Sequence, residues 1–358
     1  MRIAIVGVGL IGGSIGLAAR ERLGATVAGW SRSATTLERA VALGALDRAG
    51  DSLADAVGDA EAVFVCAPVG VLPQVVADVL AAAPEDCVVT DAGSTKRSVV
   101  EAVDDPRFVG GHPLAGAETA GVEHARVDLF QDATWYLTPT RGATGVLFER
   151  LHRLIRDLGA RPATIDAATH DTMLAAVSHL PHVFANVLVA QAAAAFAGDD
   201  DAERLPATGP SFRDATRVAG ANSAIWTDIY LANRDALIER MDDAIARLGA
   251  VREALAAADA TAVTGWNDGA ADDRRRLLEA QLAAGPLHEL RVSVPNEPGV
   301  VATLALELAR AGVNITDMAL YPAPDHSEGV VALWIAGDEP AQRALALVGE
   351  RGFPVARA

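Results

Sequence analysis

Cysteine and positive charge are both scarce in this sequence of 358 residues. The two cysteines, Cys66 and Cys87, exclude a disulfide framework and zinc-ribbon spacing, and they favour a reducing compartment. Lys and Arg number 30 against 47 Asp and Glu, which gives a net charge of −17. Such a surface repels nucleic acids and anionic membranes, although a local Arg or a helix N-terminus can still bind a small anion.

The sequence shows no targeting segment, and we expect no transmembrane helix, which would need about 18 apolar residues without charges or glycine clusters. Hydrophobic residues make up 51% of the chain, which places it outside the disordered range. Its length is enough for two or three domains. We therefore expect a folded, soluble, cytoplasmic protein.

Strand and helix patterns alternate over residues 1–165, and short runs of β-branched and apolar residues mark the strands. Strands are predicted at Arg2–Val6, Thr26–Trp30, Ala62–Cys66, Val88–Asp91, Phe108–Gly110 and Thr134–Thr138. This alternation predicts an α/β fold with an N-terminal Rossmann-like, doubly wound parallel sheet.

Residues 166–284 carry almost no strand pattern. Two long helical patterns, Ala167–Ala197 and Ala221–Asp259, flank a polar loop over residues 198–217, so we predict an all-α helical domain and expect it to be a dimerisation domain. Two Ala-rich helices bury little apolar surface by themselves, and we therefore expect them to pack against a second copy in a homodimer. The stretch Ala271–Gly285 is interpreted as the approach to the next boundary.

Residues 286–358 predict a third domain. The order of patterns is strand, helix over Val300–Ala311, two strands, helix and a final strand. This β-α-β-β-α-β order is typical of a ferredoxin-like fold.

A glycine motif follows the first predicted strand. Gly7, Gly9 and Gly12 form G-x-G-x-x-G, which in a strand–turn–helix context predicts that the loop and the helix start, with Leu10 and Ile11, bind a dinucleotide. The alternative is a glycine-rich turn without a ligand.

The second predicted strand ends at Trp30 without the acid that usually binds a ribose 2′-hydroxyl. Ser31 and Arg32 could instead take a 2′-phosphate. Alternatively, Arg32 stacks on adenine or faces the solvent.

Two residues at strand ends are candidates for the chemistry. His112 lies just past the short strand predicted at Phe108–Gly110, and a His there can accept a hydroxyl proton while hydride leaves the same carbon. Ser94 follows the strand Val88–Asp91 and could bond a substrate oxygen or the nicotinamide amide. It could also be the N-cap of a helix starting at Thr95.

The strings DAGSTK and HPLAGAE, followed by SHLPH, FRDATR and Trp226, resemble the prephenate/arogenate dehydrogenase family of tyrosine biosynthesis over about Met1–Ala283. The resemblance implies oxidative decarboxylation of prephenate to 4-hydroxyphenylpyruvate, with hydride transfer to NAD or NADP. In that family His112 matches the base at the ring hydroxyl, Ser94 its partner near the nicotinamide, and Arg217 the ligand of a substrate carboxylate. The other motif positions match residues around the substrate pocket: His179, His182, Glu118, Asp214 and Trp226.

The H-x-x-H pair has two other interpretations. His179 and His182 could chelate a metal, but no cysteine or carboxylate at ligand spacing joins them, so we expect no metal. They could also line a helix interface. Pro181 between them should kink the helix or lie in its first turn.

Three residues in two segments depart from the family pattern. Pro210 and Ser211 replace a Gly-Gly pair before FRD, and Ala117 precedes Glu118 where some relatives have a hydroxyl. The choice between prephenate and arogenate therefore stays open.

The C-terminal domain resembles an ACT domain, a regulatory amino-acid-binding module. The resemblance implies that Asn296, Glu297, Pro298 and Gly299 help to bind an effector such as tyrosine. The alternative is a purely structural β-α turn.

Two rival functions remain. β-Hydroxyacid dehydrogenases and imine reductases favour a catalytic Lys on the first long helix, but Ala167–Ala197 contains none. A non-catalytic dinucleotide sensor with an ACT module would not need Ser94, His112, His182 and Arg217 together.

The family resemblance implies that NAD is used, and the missing acid after Trp30 predicts that NADP is tolerated. Ser31→Asp should shift the preference towards NAD, because a carboxylate a few ångströms from a 2′-phosphate costs about 1–4 kcal/mol near a surface. The measurement is kcat/KM with both cofactors for both proteins. A wild type that already excludes NADP by more than about a thousandfold, roughly 4 kcal/mol, would show that another feature reads the ribose.

Overall fold

The computed structural model describes residues 1–116, 119–140, 142–195, 208–280, 285–295, 300, 304, 307–308, 311–313, 315–323 and 328–357. The chain divides into two compact units, Met1–Ile245 and Ala246–Ala358. The boundaries predicted from the sequence, at 165/166 and 284/286, stay predictions.

An eight-stranded sheet forms the centre of the first unit. Its strands are β1 (Arg2–Val6), β2 (Thr26–Trp30), β3 (Arg48–Ala49), β4 (Ala62–Val65), β5 (Val88–Asp91), β6 (Phe108–Pro113), β7 (Thr134–Pro139) and β8 (Arg161–Thr164). The helices between them are α1 (Leu10–Leu23), α2 (Ala34–Ala42), α3 (Leu53–Val57), α4 (Leu72–Ala82), α5 (Arg97–Ala102) and α6 (Gly145–Asp157).

The strand order is β3-β2-β1-β4-β5-β6-β7-β8, and the pairs from β3 to β6 are parallel. The order reverses between β1 and β4, which opens a crevice at their carboxyl ends. β7 runs antiparallel to β6, and β8 runs parallel to β7, so the last two strands reverse the direction of the sheet.

Apolar side chains cover both faces of this sheet. One buried cluster includes Ile3, Ile15 and Trp135, and the other includes Val63, Val76 and Phe108. Burial on both faces explains why the central strands read as continuous apolar runs rather than as alternating ones.

Helices follow the sheet along the chain: α7 (Ala167–Leu174), a π-helical turn (Ala175–His179), α8 (Leu180–Ala194), α9 (Pro210–Thr216), α10 (Ser223–Ala232), α11 (Arg234–Ala256) and α12 (Ala260–Ala280). The single helix expected over Ala221–Asp259 is wrong, because the chain breaks between α10 and α11 at Asn233, which has φ −115° and ψ 24°.

Two stretches interpreted as non-helical are helices. The end of the polar loop 198–217 forms α9, where Pro210 occupies the first turn, a position that needs no amide donor. The proposed boundary Ala271–Gly285 begins inside α12, whose charges pair along one face, as in Asp272–Arg275 with N···O 2.7 Å.

The expectation that no apolar run is long enough to span a membrane is wrong. The helix Ala167–Ala194 has a mean hydropathy of 1.5 over 18 residues, because no Asp, Glu, Lys or Arg occurs between Asp171 and Asp199. By length and composition alone this helix could cross a membrane. However, its first turns carry buried His170, Asp171 and His179, which contact polar groups of the protein.

The second unit contains an antiparallel sheet of four strands in the order β10-β11-β9-β12. The strands are β9 (Leu287–Pro295), β10 (Ile315–Pro322), β11 (Glu328–Ala336) and β12 (Val355–Arg357), and α13 (Asp338–Glu350) precedes the last one. This order fits the predicted ferredoxin-like layout. Most of the helix predicted over Val300–Ala311 and the whole effector turn 296–299 lie outside the described residues.

Gly12→Ala should destabilise the contact between α1 and β1. A Cβ at Gly12 would lie 2.2 Å from the backbone oxygen of Gly7, so the helix would have to move. We expect the free energy of unfolding to fall by about 1–3 kcal/mol in a denaturant titration.

The matched control is Gly9→Ala, where a Cβ would meet nothing within 4 Å. It should cost less than about 1 kcal/mol, the usual effect of an alanine N-cap. Equal stability of the two variants would show that the helix and the strand are not in close contact.

Candidate active site

One cleft in the first unit brings together most of the residues selected from the sequence. Its volume is about 860 Å³, and it lies at the carboxyl ends of the central strands. Eight of the residues selected from the sequence line this cleft: Gly9, Leu10, Ile11, Gly12, Ser94, His182, Arg217 and Trp226. The glycine loop and the helical residues therefore face the same space.

The glycine loop opens one end of this cleft. Gly7 has φ +95° and donates its amide to the Trp30 oxygen at 2.9 Å, which turns the chain from β1 into α1. Gly9 is the N-cap of α1, and no side chain caps the helix or places a negative charge in its first turn. The helix start therefore offers amide donors and a positive dipole end to an anionic group.

Ser31 and Arg32 follow β2, beside this loop. Ser31 is half-buried and Arg32 is exposed, and neither lines the 860 Å³ cleft. The next residue, Ser33, caps α2 by accepting the Thr36 amide at 3.2 Å. The roles predicted for Ser31 and Arg32 at the ribose stay predictions.

Ser94 is half-buried in the loop after β5 and lines the cleft. Its alternative interpretation as a helix N-cap is wrong. The following helix, α5, begins at Arg97 with Lys96 as its N-cap residue. The Ser94 hydroxyl is therefore not used to start a helix.

A fully buried ion pair holds the Ser94 loop. The ammonium group of Lys96 donates to a carboxylate oxygen of Asp91 and, at 2.7 Å, to the backbone oxygen of Gly111. Asp91 also accepts the amides of Gly93 at 2.8 Å and Gly111 at 3.0 Å. Burial lowers the pKa of Lys96, and the adjacent Asp91 carboxylate opposes that shift. The pair fastens the loop after β5 to the strand β6.

His112 lies within β6, and not after the strand as predicted. β6 extends to Pro113 because it pairs with the antiparallel strand β7. In this pairing His112 lies opposite Tyr136. The ring is 8% exposed, and its Nδ1 lies 2.9 Å from Nε2 of His170. Burial, followed by the nearby His170, Lys96 and His179, holds the pKa of His112 well below 6.5, so the ring is neutral at pH 7.

His170 is attached to Asp171, its neighbour on α7. Nδ1 of His170 lies 2.8 Å from Oδ1 of Asp171. That carboxylate also accepts the amides of Lys96 at 2.7 Å and Arg97 at 2.9 Å. Burial alone would raise the pKa of Asp171, but hydrogen bonds from His170 and the two amides outweigh it and lower the pKa.

The H-x-x-H pair lies at the junction of the π-helical turn and α8. Pro181 occupies the first turn of α8, and because it has no amide hydrogen it cannot close the regular bond four residues back. The His182 and Trp226 rings are stacked with their centroids 3.5 Å apart. Nδ1 of His182 donates a hydrogen bond to the backbone oxygen of Ser178 at 3.0 Å. The junction thus presents His182 to the cleft.

His179 faces the interior instead. It is 1% exposed, and its Nδ1 accepts from the Asn233 amide at 3.1 Å. Its Nε2 is buried and has no partner among the residues described here. Burial lowers the pKa of His179 to about 4. Among the described residues no three His, Cys, Asp or Glu side chains form a group that could hold a metal ion.

Of the other predicted substrate-binding residues, some line the cleft and others do not. Arg217 ends α9 and lines the cleft, with Trp226 on α10 on the same side. Asp214 is exposed on α9 and does not line the cleft. Glu118 lies outside the described residues.

The chain matches three family models in succession. These are the nucleotide-binding domain of prephenate dehydrogenase over residues 15–164, its dimerization domain over residues 166–266, and the ACT domain over residues 288–347. A prephenate dehydrogenase of Bacillus subtilis is 31% identical over 350 residues, which cover 96% of this chain and 94% of that protein. The chain belongs to the prephenate dehydrogenase family.

Other members of the family support this assignment. A cyclohexadienyl dehydrogenase of Zymomonas mobilis is 36% identical over 265 residues, 72% of this chain and 89% of that protein. A prephenate dehydrogenase of A. aeolicus, solved with hydroxyphenyl propionate and NAD+, is similar with a TM-score of 0.72 and 27% identity over 77% of this chain and 98% of that one. Arogenate dehydrogenase of Synechocystis is similar with a TM-score of 0.68 and 28% identity over 77% and 100% of the two chains.

Membership of the prephenate dehydrogenase family confirms the predicted fold class. The first sheet is Rossmann-like, the helices after it are the dimerisation domain of the family, and the C-terminal sheet is an ACT domain.

The sequence reasoning missed several polar residues behind the cleft. Asp91 and Lys96 flank Ser94 in DAGSTK, and both charges in one short motif were an available signal. Two adjacent polar residues, His170 and Asp171, interrupt an otherwise Ala-rich helix. Asn233 gave no signal, since its contact with His179 depends on the break between α10 and α11.

Lys96→Met should destabilise the protein strongly. It would leave the Asp91 carboxylate, which is 0% exposed, without its cation. Removing one partner of such a pair costs about 3–5 kcal/mol, which a denaturant titration can measure.

Arg153→Met is the matched control, because Arg153 and Glu149 form an ion pair with both side chains 59% exposed. This variant should leave the free energy of unfolding almost unchanged, since water and salt screen such pairs. A Lys96→Met protein as stable as this control would mean that the buried pair does not hold the loop.

Proposed function

We propose that this cleft oxidises and decarboxylates prephenate to 4-hydroxyphenylpyruvate, with NAD as the hydride acceptor. One observation carries the proposal. A glycine loop suited to a dinucleotide, Ser94 and the cationic Arg217 line one cleft of about 860 Å³, and the neutral His112 lies near the end of β6, the strand next to the one that precedes Ser94. The family relationship supports the same reaction.

The cofactor site fits NAD. The uncapped first turn of α1 supplies amide donors for a pyrophosphate, and the open space at Gly9 lets that group approach the backbone. When bound, NAD supplies the nicotinamide ring that accepts a hydride. Leu10, Ile11 and Gly12 would line its path, and we propose Ser31 and Arg32 for the ribose.

The helical side fits a substrate with two carboxylates. The Arg217 guanidinium offers two parallel donors to a carboxylate. His182 stacks on Trp226, and its Nε2 could form a further hydrogen bond with the substrate. The buried Nε2 of His179 has no hydrogen-bond partner among the described residues. We also propose a supporting place at the rim for Asp214, and for Glu118, which lies outside the described residues.

His112 is the proposed base. Its neutral ring accepts the proton of the ring hydroxyl at Nε2 while hydride leaves the same carbon, and Ser94 bonds the hydroxyl oxygen. Loss of the ring carboxylate as carbon dioxide then makes the ring aromatic. Because burial favours the neutral ring, His112 needs no deprotonation at pH 7.

The ACT domain fits feedback regulation by an amino acid such as tyrosine, at the turn 296–299. We also infer a homodimer, because the helices after the sheet expose many apolar side chains outside the cleft: Val187, Leu188, Val189, Leu231, Ile238 and Ile245. A dimer would bury this surface and explain the apolar helix Ala167–Ala194 in a soluble, cytoplasmic enzyme.

The test is to mix the protein with NAD or NADP and either prephenate or arogenate, and to follow reduced cofactor and product. Prephenate with NAD should give NADH and 4-hydroxyphenylpyruvate in equal amounts. Faster turnover of arogenate would make the protein an arogenate dehydrogenase, and binding of NAD without turnover of either substrate would indicate a dinucleotide sensor.

His112→Asn should lower kcat by roughly 10²–10⁴-fold, the usual contribution of a general base, and leave NAD binding unchanged. In the wild type, protonation removes the accepting lone pair, and the pKa of His112 is lowered well below 6.5. Activity is therefore lost only as pH falls through that lowered pKa. A profile of kcat/KM should be flat from about pH 8 to below 6.5. An acid limb centred above 6.5, or an unchanged kcat in His112→Asn, would exclude His112 as the base.

Arg217→Ala should mainly weaken substrate binding. Loss of a charge-assisted carboxylate pair costs about 2–4 kcal/mol, roughly 30- to 1,000-fold in kcat/KM. Arg213→Ala is the matched control, since Arg213 lies on the same helix but donates to the Thr208 oxygen at 2.9 Å outside the cleft. If Arg217→Ala weakens NAD binding and leaves the KM for prephenate unchanged, its place in the site is wrong.

A further inference from the structure

Three side chains form a continuous hydrogen-bonded chain that leads from His112, near the end of β6, into the interior. His112 Nδ1 contacts His170 Nε2 at 2.9 Å, and His170 Nδ1 contacts Asp171 Oδ1 at 2.8 Å. His170 and Asp171 are 0% and 1% exposed. His112, at 8%, is the most exposed of the three, so any effect of His170 or Asp171 on the reaction must act through His112.

Asp171 fixes the direction of hydrogen bonding in this chain. Its two oxygens accept the backbone amides of Lys96 and Arg97, which can only donate. These bonds favour the ionised carboxylate, which is an acceptor at both oxygens. His170 must therefore carry its hydrogen on Nδ1 and donate it to Asp171.

The tautomer of His112 follows from that of His170. A neutral imidazole with hydrogen on Nδ1 has its lone pair on Nε2. Nε2 of His170 is thus an acceptor, and among the described residues the group that donates to it is Nδ1–H of His112. A neutral His112 is then left with its lone pair on Nε2, and no described residue bonds that nitrogen.

We propose that His170 and Asp171 are positioning residues that hold His112 in the Nδ1–H tautomer, so that Nε2 is always the atom that accepts the substrate proton. The inference rests on the proposed function for the identity of the substrate, but the tautomer does not depend on it.

The same chain stabilises the state that forms during proton transfer. The substrate O–H bond breaks, its electron pair stays on oxygen, and the proton forms an N–H bond at Nε2 of His112. The resulting imidazolium keeps its Nδ1–H bond to His170, and the negative charge of Asp171 lies two hydrogen bonds away. Without the chain, the opposite tautomer would point a hydrogen at the substrate hydroxyl and block the transfer.

A purely structural role is the competing explanation, because these residues also pack. The His170 ring lies against Tyr136 with centroids 5.6 Å apart, and the Asp171 backbone oxygen accepts from Asn233 at 2.7 Å. The test must therefore separate loss of hydrogen bonding from loss of folding.

Two substitutions at one position make this separation. His170→Leu removes both hydrogen bonds. His170→Gln keeps an acceptor for His112 and a donor for Asp171. We expect His170→Leu to lower kcat by roughly 10²–10⁴-fold, the range seen when a catalytic His loses its orienting partner. His170→Gln should stay within about tenfold of wild type, and KM and the Kd for NAD should change less than about twofold in both. His152→Leu, a half-buried His against Phe148 on α6, is the control for removal of an imidazole.

The direct readout is ¹⁵N NMR of protein labelled at histidine, with the His112 signals assigned by their loss in His112→Asn. The wild type should show a protonated Nδ1 and an unprotonated Nε2 at neutral pH, and His170→Leu should shift this balance towards Nε2–H. This measurement needs no substrate, so it tests the chain even if prephenate is not turned over. The proposal is overturned if wild-type His112 carries its hydrogen on Nε2, if His170→Leu keeps the wild-type kcat, or if Leu and Gln lower kcat equally.

Discussion

The carboxylate of Asp171 is the contact on which the site depends. It lies within α7, and its two oxygens accept the first amides at the start of α5, so one side chain joins the helices after the sheet to the loop after β5. The same carboxylate is hydrogen-bonded to His170, and His170 is hydrogen-bonded to His112. An ionised acid here stabilises a helix N-terminus and orients the proposed base at once. Loss of the Asp171 charge would weaken both its contact with the start of α5 and the orientation of His112.

The second constraint is the buried pair of Asp91 and Lys96 on the other side of the Ser94 loop. Lys96 is the single lysine of a chain with 29 arginines. A guanidinium is larger and rigidly planar, whereas an ammonium group on a flexible stem fits between Asp91 and the Gly111 oxygen in a fully buried space. The positive charge also lies near His112 and helps to keep its ring neutral. Lys96 thus places one buried positive charge beside the proposed base.

Contiguous motifs could be predicted from the sequence, and contacts between distant residues could not. The glycine loop, Ser94 and His112 each follow or end a strand, so their meeting at one edge of the sheet follows from the topology. The contacts of Asp171 with Lys96 and of Asn233 with His179 join residues 75 and 54 positions apart, which no local pattern encodes. β3 has only two residues, and β8 contains Pro162 at the sheet edge, so both were missed. The helix α12 was missed because its charged run DDRRR resembles a linker.

The central claim is that His112 Nε2 and Arg217 act on opposite ends of one substrate. The most direct measurement is a crystal structure of the protein with NAD and 4-hydroxyphenylpyruvate. We expect the phenol oxygen within about 2.6–3.2 Å of His112 Nε2, with Ser94 beside it, and the side-chain carboxylate on Arg217. A ligand bound in the reverse orientation, or a phenol oxygen that contacts neither His112 nor Ser94, would contradict it.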